Sequence, residues 1–194
     1  MKRAFASLPS VRFSSPADEC SDSNSIGERI LVIGNAGAGK TTFSLQLADK
    51  TSLPLVHLDR LFWYGDWQQR SRAEFDLLLQ EELEKPQWII DGNFSRTFPH
   101  RLSYCDTVFF FDVPTYVCLW GITKRLFQYW GKSRPDMGGN CLEYPDSKKW
   151  SLYKGVLNYN RRHRENYQRL LSEFNGKVVV FKSRKQAARF LETL

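Results

Sequence analysis

Eight residues, Gly34-Asn35-Ala36-Gly37-Ala38-Gly39-Lys40-Thr41, restrict what this chain can fold into more than any other stretch. They complete the pattern G-x-x-x-x-G-K-[ST], just after the apolar run Ile30-Leu31-Val32-Ile33 and just before a helical segment, Thr41 to Lys50. Glycines in such a loop let backbone N–H groups turn inward as an anion nest at a helix N-terminus. Lys40 is expected to reach the β- and γ-phosphates of a nucleotide, and the Thr41 hydroxyl to hold Mg²⁺. The expected ligands are therefore ATP and Mg²⁺, and the expected contacts run from Gly34 to Thr41 and on to Thr42.

The rest of the chain must supply a core and a second substrate. Its 194 residues are 42% hydrophobic and 14% aromatic, enough for one domain with a core of large rings. A formal net charge of +7 suits a protein that holds phosphates on a nucleotide, a nucleic acid or a membrane surface, without choosing among them. Cys20, Cys105, Cys118 and Cys141 form no C-x-x-C pair, so free thiols and no structural zinc are expected. No apolar stretch nears the ~20 residues of a membrane span, so no membrane partner and a cytoplasmic location are expected. Residues 1–28 are Ser-rich and aperiodic and read as a disordered tail. Their first part carries Lys2, Arg3 and Arg12 without an acid, a weak transit-peptide signal set against a plain tail.

From Arg29 onward, strands and helices alternate. Strands are expected at 30–33, 54–57, 88–90, 107–111 and 178–181. Helices are expected at 41–50, 72–84, 116–130, 148–174 and 185–194, with a polar loop over 132–146. That alternation implies an α/β fold with a parallel sheet covered on both faces. Two strands end in Asp. Asp91 leads into Gly92-Asn93-Phe94-Ser95-Arg96-Thr97, a loop suited to ligands, whereas Asp112 leads into Val113-Pro114 and a helix start. Asp91 is therefore assigned to the metal with Thr41, and Asp112 to a helix cap.

The Asp91–Thr97 stretch resembles the D-G-F-P-R-T loop of adenylate kinases and related nucleoside monophosphate kinases. Phe111-Asp112-Val113-Pro114 and the following helix resemble their fourth strand and lid-bearing helix. A narrower set of pieces is similar to the bacterial DNA topology modulation proteins, small adenylate-kinase-like P-loop proteins. These pieces are Ile33-Gly34-Asn35, His57-Leu58-Asp59-Arg60-Leu61-Phe62-Trp63, Asp91 to Ser95, and Arg134-Pro135-Asp136-Met137. The resemblance implies a three-layer P-loop fold over 29–194, a five-stranded parallel sheet of order 2-3-1-4-5, and a helical lid at about 131–147. It assigns Mg²⁺ to Asp91, the acceptor phosphate to Arg96 and a lid role to Arg125. Arg96 stands five residues after Asp91, where the family has four. The family arginine that packs on adenine falls at Gly121, which leaves Lys182-Ser183-Arg184 as the candidate for holding the base.

Ligands gather at the carboxyl ends of parallel strands, where His57-Leu58-Asp59 also lies. Asp59 is the candidate to bind or deprotonate an acceptor hydroxyl, with a turn or cap role as the alternative. His57 reads as a hydrogen-bonded strand-end residue. Phe62, Trp63 and Trp67 would stack on a base or fill the core. Phosphoryl transfer needs cations on the transferred group. The candidates, besides catalytic Lys40, are Lys124, Arg125, Lys132 and Arg134, then Arg161, Arg162 and Arg164, with Arg60, Arg134, Arg161 and Arg162 on the substrate side. Three functions compete: a kinase acting on a small nucleotide or nucleoside-like acceptor, a nucleic-acid-binding ATPase, and a nucleotide-responsive regulator without catalysis.

Overall fold

The computed structural model describes residues 26–194. The expectations placed on residues 1–25, the tail and Cys20 among them, lie outside the described residues. Within the stretch expected to be a disordered tail, Ile26 packs against the core, and the Glu28 N–H donates to Asp106 at 3.0 Å.

Five strands form one sheet: β1 (Arg29–Gly34), β2 (Leu55–His57), β3 (Trp88–Asp91), β4 (Thr107–Phe111) and β5 (Lys177–Phe181). Their spatial order is β2-β3-β1-β4-β5 and every pairing is parallel, as expected. Successive side chains of a strand point to opposite faces, so the apolar runs split by parity. Ile30, Val32, Phe109, Phe111 and Phe181 pack on one face with Phe43, Leu47 and Ile122. Leu31, Ile33, Val108, Phe110 and Ile90 pack on the other with Phe75, Leu79 and Tyr167. A strand buried on both faces reads as a continuous apolar run, which is why these strands were legible.

The first face is covered by α1 (Lys40–Thr51), α5 (Thr115–Gln128), α6 (Ser147–Tyr159) and α8 (Arg184–Glu192). The second is covered by α3 (Arg72–Leu83), α4 (Phe98–Leu102) and α7 (Glu165–Ser172), with α2 (Leu58–Phe62) after β2. Large rings do fill the core: Phe43 meets Phe109 at 5.0 Å and Phe111 and Phe181 at 5.3 Å, all edge-on.

Two local outcomes differ from the sequence reading. The long basic helix is interrupted between α6 and α7 by a π-helical turn over Asn160–Arg164. The composition stays helical through it, so periodicity carries no sign of the extra residue. Asp112 does not cap α5, whose N-cap is Pro114. Its carboxylate instead accepts from Arg164 through two bonds of 2.8 Å and from Lys182 at 2.5 Å. Burial raises the carboxyl, but these two cations outweigh it and hold it below the usual range. Asp112 thus ties the π-helical turn and the end of β5 to the end of β4.

Candidate active site

The carboxyl ends of the strands open into one cleft of about 1310 Å³. At its floor lies the phosphate loop. Gly37 (φ 76°) and Gly39 (φ 107°) adopt backbone conformations that favour glycine. Gly37 also has no room for a side chain, since a Cβ there would lie 2.3 Å from the Cys118 carbonyl. Cys118 belongs to α5, and the same helix presses on the loop one turn further along. A Cβ on Gly121 would stand 2.2 Å from the Gly37 carbonyl oxygen, so the position of the family's adenine-packing arginine cannot hold any side chain here.

The Arg184 guanidinium occupies that neighbourhood. Its Nη2 donates to the Gly37 carbonyl at 2.5 Å and to Val117 at 3.3 Å, while Nε donates to Ala38 at 3.2 Å. Lys182 is engaged by Asp112, and Ser183 caps α8 through Gln186. The side chains of the 182–184 loop, the expected base holder, thus make bonds within the fold, and Arg184 acts as a clamp on the phosphate loop. Arg184→Ala is expected to weaken ATP binding about tenfold, a loss of roughly 1.4 kcal/mol, by loosening the nest. Titration calorimetry of the variant against wild type checks it.

Lys40 Nζ donates to the Asn35 carbonyl at 3.0 Å. Burial pushes this ammonium below its ordinary range, and the carboxylates of Asp91 and Asp59 oppose that push. A bound triphosphate would add further counter-charge. The Thr41 hydroxyl donates to Asp91 Oδ2 at 2.7 Å, and His57 Nδ1 lies 3.3 Å from the same oxygen. The other oxygen, Asp91 Oδ1, is buried without a hydrogen-bond partner. A carboxylate oxygen left bare in the interior is costly unless something binds it. Beside a hydroxyl and a phosphate nest, this donor set fits Mg²⁺.

The opposite wall carries the acceptor candidates. Asp59, Arg60, Trp63, Arg125 and Arg134 all line the cleft. Arg134 is buried and paired with Asp136 and Glu143 at 2.9 Å each, and lies 4.0 Å from Asp59. Lys149 pairs with Glu143 and sits 4.1 Å above the Trp67 ring. The lid expected to be helical at about 131–147 is instead a coil over 131–146 between α5 and α6, and this network fixes it against α2; Arg60 adds two bonds to the Pro135 carbonyl at 2.7 and 3.1 Å. The walls around Asp59 push its carboxyl up, and Arg134 works against them. The side chain is still 42% exposed to the open cleft, so water tempers that push. The Arg125 side chain makes no hydrogen bond or ion pair among the described residues. Burial and the neighbouring Arg134 lower its affinity for the proton. Trp63 and Trp67 stand edge-on at 5.4 Å along the same wall.

Three expected contacts are not brought here. Arg96 lies on the surface, where its guanidinium bonds both oxygens of Asp76 at 2.5 and 2.9 Å. Arg161 and Arg162 are exposed on the π-helical turn and do not line the cleft. The arginine that shapes the Asp91 loop is instead Arg101, fully buried in α4. It donates to the carbonyls of Gly92 (3.1 Å), Asn93 (2.5 Å) and Phe94 (3.2 Å), and to the Thr97 hydroxyl (3.3 Å). Burial lowers it to about 10. It holds Phe94 at φ 26° with help from the Phe75 ring, stacked at 5.0 Å. Nothing in the sequence marks Arg101, because its partners are three backbone carbonyls and one hydroxyl, with no acid among them.

Sheet order, phosphate loop and the Thr41–Asp91 pair define a P-loop fold of the nucleoside monophosphate kinase type. A family model described as isopentenyl transferase matches residues 28–92, which covers the phosphate loop and Asp91 but less than half of the chain. The crystal structure of shikimate kinase from Bacteroides thetaiotaomicron is similar at a TM-score of 0.51 and 18% identity, over 86% of this chain and 95% of that one. Shikimate kinase from Acinetobacter baumannii in complex with shikimate is similar at a TM-score of 0.57 and 12% identity, over 86% and 89%. At such identities the likeness establishes the shared fold. No curated protein sequence matches the chain.

Proposed function

We propose that the protein is an ATP- and Mg²⁺-dependent kinase that transfers the γ-phosphoryl group to a small nucleotide or nucleoside-like acceptor. One observation carries the reading. The buried, unpartnered Asp91 Oδ1 beside the Thr41 hydroxyl shares a cleft with Asp59 and with the unpaired Arg125. The narrower kinship with the DNA topology modulation proteins belongs to the same proposal. Of its four sequence pieces, three supply cleft residues and the first leads into the phosphate loop.

In this reading the loop N–H groups and Lys40 bind the β- and γ-phosphates. Thr41 and Asp91 would hold Mg²⁺, which neutralises phosphate charge when bound. Asp59 accepts the acceptor's proton as the new oxygen–phosphorus bond forms and the bond to the departing ADP oxygen breaks. Arg125 meets the charge that spreads over the transferred group. Arg125→Ala is expected to lower kcat by about 100-fold or more while changing ATP affinity little, read from steady-state kinetics beside equilibrium binding.

Asp59 works in its ionised form. Its carboxyl is raised, so transfer is lost as pH falls through that raised value, at a higher pH than an ordinary aspartate would give. A kcat/KM–pH profile checks this: its acid limb disappears in Asp59→Asn, at a much lower plateau. The reading itself is tested with purified protein, labelled ATP and a panel of nucleosides, nucleoside monophosphates and other hydroxylated metabolites. Label is expected in one acceptor class. ATP binding without transfer to any acceptor would favour the non-catalytic regulator.

A further inference from the structure

Large apolar side chains on the surface gather on two neighbouring helices. On α5 the exposed positions Tyr116, Trp120 and Phe127 keep helical spacing and form one stripe, continued by Trp130, with Lys124 at its edge where the helix also borders the cleft. On α6 the exposed positions Trp150, Lys154 and Leu157 do the same, continued by Arg161. The helices run antiparallel and touch: the Thr123 hydroxyl meets the Tyr153 hydroxyl at 2.8 Å, and Asn160 reaches Thr115 at 3.4 Å. Trp120 is 65% and Trp150 71% exposed, so these rings are not half-hidden core. Neither helix contains a single acid, and the π-helical turn adds none. The acids between the helices are engaged: Asp136 and Glu143 by Arg134 and Lys149, and Asp146 as the cap of α6.

We propose that the α5–α6 face docks on an anionic phospholipid surface. Tryptophan and tyrosine favour the headgroup level of a bilayer, and aliphatic and phenyl side chains enter just below it. Lysine and arginine set among them are drawn to anionic headgroups. A second copy of the chain fits worse, because a two-fold contact would set these cations against themselves with no acid to answer them. A nucleic acid would meet the cations but offers no apolar layer for Leu157 and Phe127. The expectation of no membrane partner rested on the lack of a spanning segment, and no helix among the described residues is long and apolar enough to cross a bilayer. A surface helix pair needs no span. The proposal is independent of the phosphoryl-transfer reading.

The test is co-sedimentation of the whole protein with vesicles of phosphatidylcholine, alone or with roughly one third phosphatidylglycerol, at low and at physiological salt. Sedimentation with the anionic vesicles only, weakened by salt, and a blue shift of tryptophan emission are expected. The double variant Trp120→Ser/Trp150→Ser should lose about tenfold in partitioning, and Lys154→Glu about fivefold. Cooperative thermal unfolding serves as the fold control, and Leu157→Ser with Lys154→Glu carries the test if the double variant fails it. The proposal is overturned if wild type ignores anionic vesicles at low salt or binds neutral ones equally. It is overturned too if the variants partition like wild type. A DNA oligomer bound through this same face, or a dimer that the double variant dissolves, would assign the face to another occupant.

Discussion

Lys40→Ala is expected to cut phosphoryl transfer by at least ~100-fold and to weaken ATP binding as well. The ammonium sits at the N-terminus of α1, inside the glycine-rich stretch of the cleft floor. Without a nucleotide it rests on the Asn35 carbonyl, a neutral partner that a phosphate oxygen readily displaces. Burial disfavours its charge, so its attraction to a bound polyphosphate is not screened by bulk water. Alanine removes that cation and leaves the nest. Residual binding through backbone N–H groups should therefore persist while transfer collapses. Parallel measurement of ATP affinity and of turnover separates the two losses.

Arg101 carries the second large effect, and it acts through stability. Replacing it by methionine keeps most of the volume but removes the guanidinium from three carbonyls: that of Gly92 loses its donor, while those of Asn93 and Phe94 keep only the Tyr167 hydroxyl and Thr97. A buried acceptor left bare costs about 1–3 kcal/mol, and each hydrogen bond lost from a charged donor about 1.5–3 kcal/mol. A loss of about 3 kcal/mol or more is expected, which for a domain of this size lowers Tm by roughly 6–12 °C. Arg101→Lys should recover only part of it, because a point-like ammonium cannot span the three oxygens that a planar fork reaches. Thermal unfolding measures the loss. Hydrogen exchange should locate the earliest opening at the Gly92–Thr97 loop, next to Asp91.

Legibility in the sequence depended on the range of the interactions. The phosphate loop and the runs at 30–33, 88–90 and 107–111 could be read because glycine-rich nests and doubly buried strands are encoded by contiguous residues. Asp91 was separable from Asp112 by its neighbours on the C-terminal side, Gly92-Asn93 against Val113-Pro114. The assignment of Asp112 to a cap failed because its partners, Arg164 and Lys182, lie more than fifty residues away in the chain. Arg96 looked like an acceptor contact from its motif, yet Asp76, twenty residues earlier, holds it at the surface. Arg161 and Arg162 looked promising by density of charge. The π-helical turn that spares Arg164 for Asp112 leaves them in solvent. Gly121 stands where the resemblance places an arginine, and its contact with Gly37 is the physical reason for that gap.

In the proposed reaction one cleft holds ATP at Lys40, Thr41 and Asp91 and passes its γ-phosphoryl group to an acceptor beside Asp59 and Arg125. The most direct test tracks the γ-label of ATP, with Mg²⁺ and the acceptor panel, in wild type and Lys40→Ala side by side. Label moving into one acceptor class with wild type, and about 100-fold slower with Lys40→Ala, is the predicted result. Tight ATP binding by wild type with no label leaving ATP for any acceptor, or equal transfer by both proteins, would contradict it.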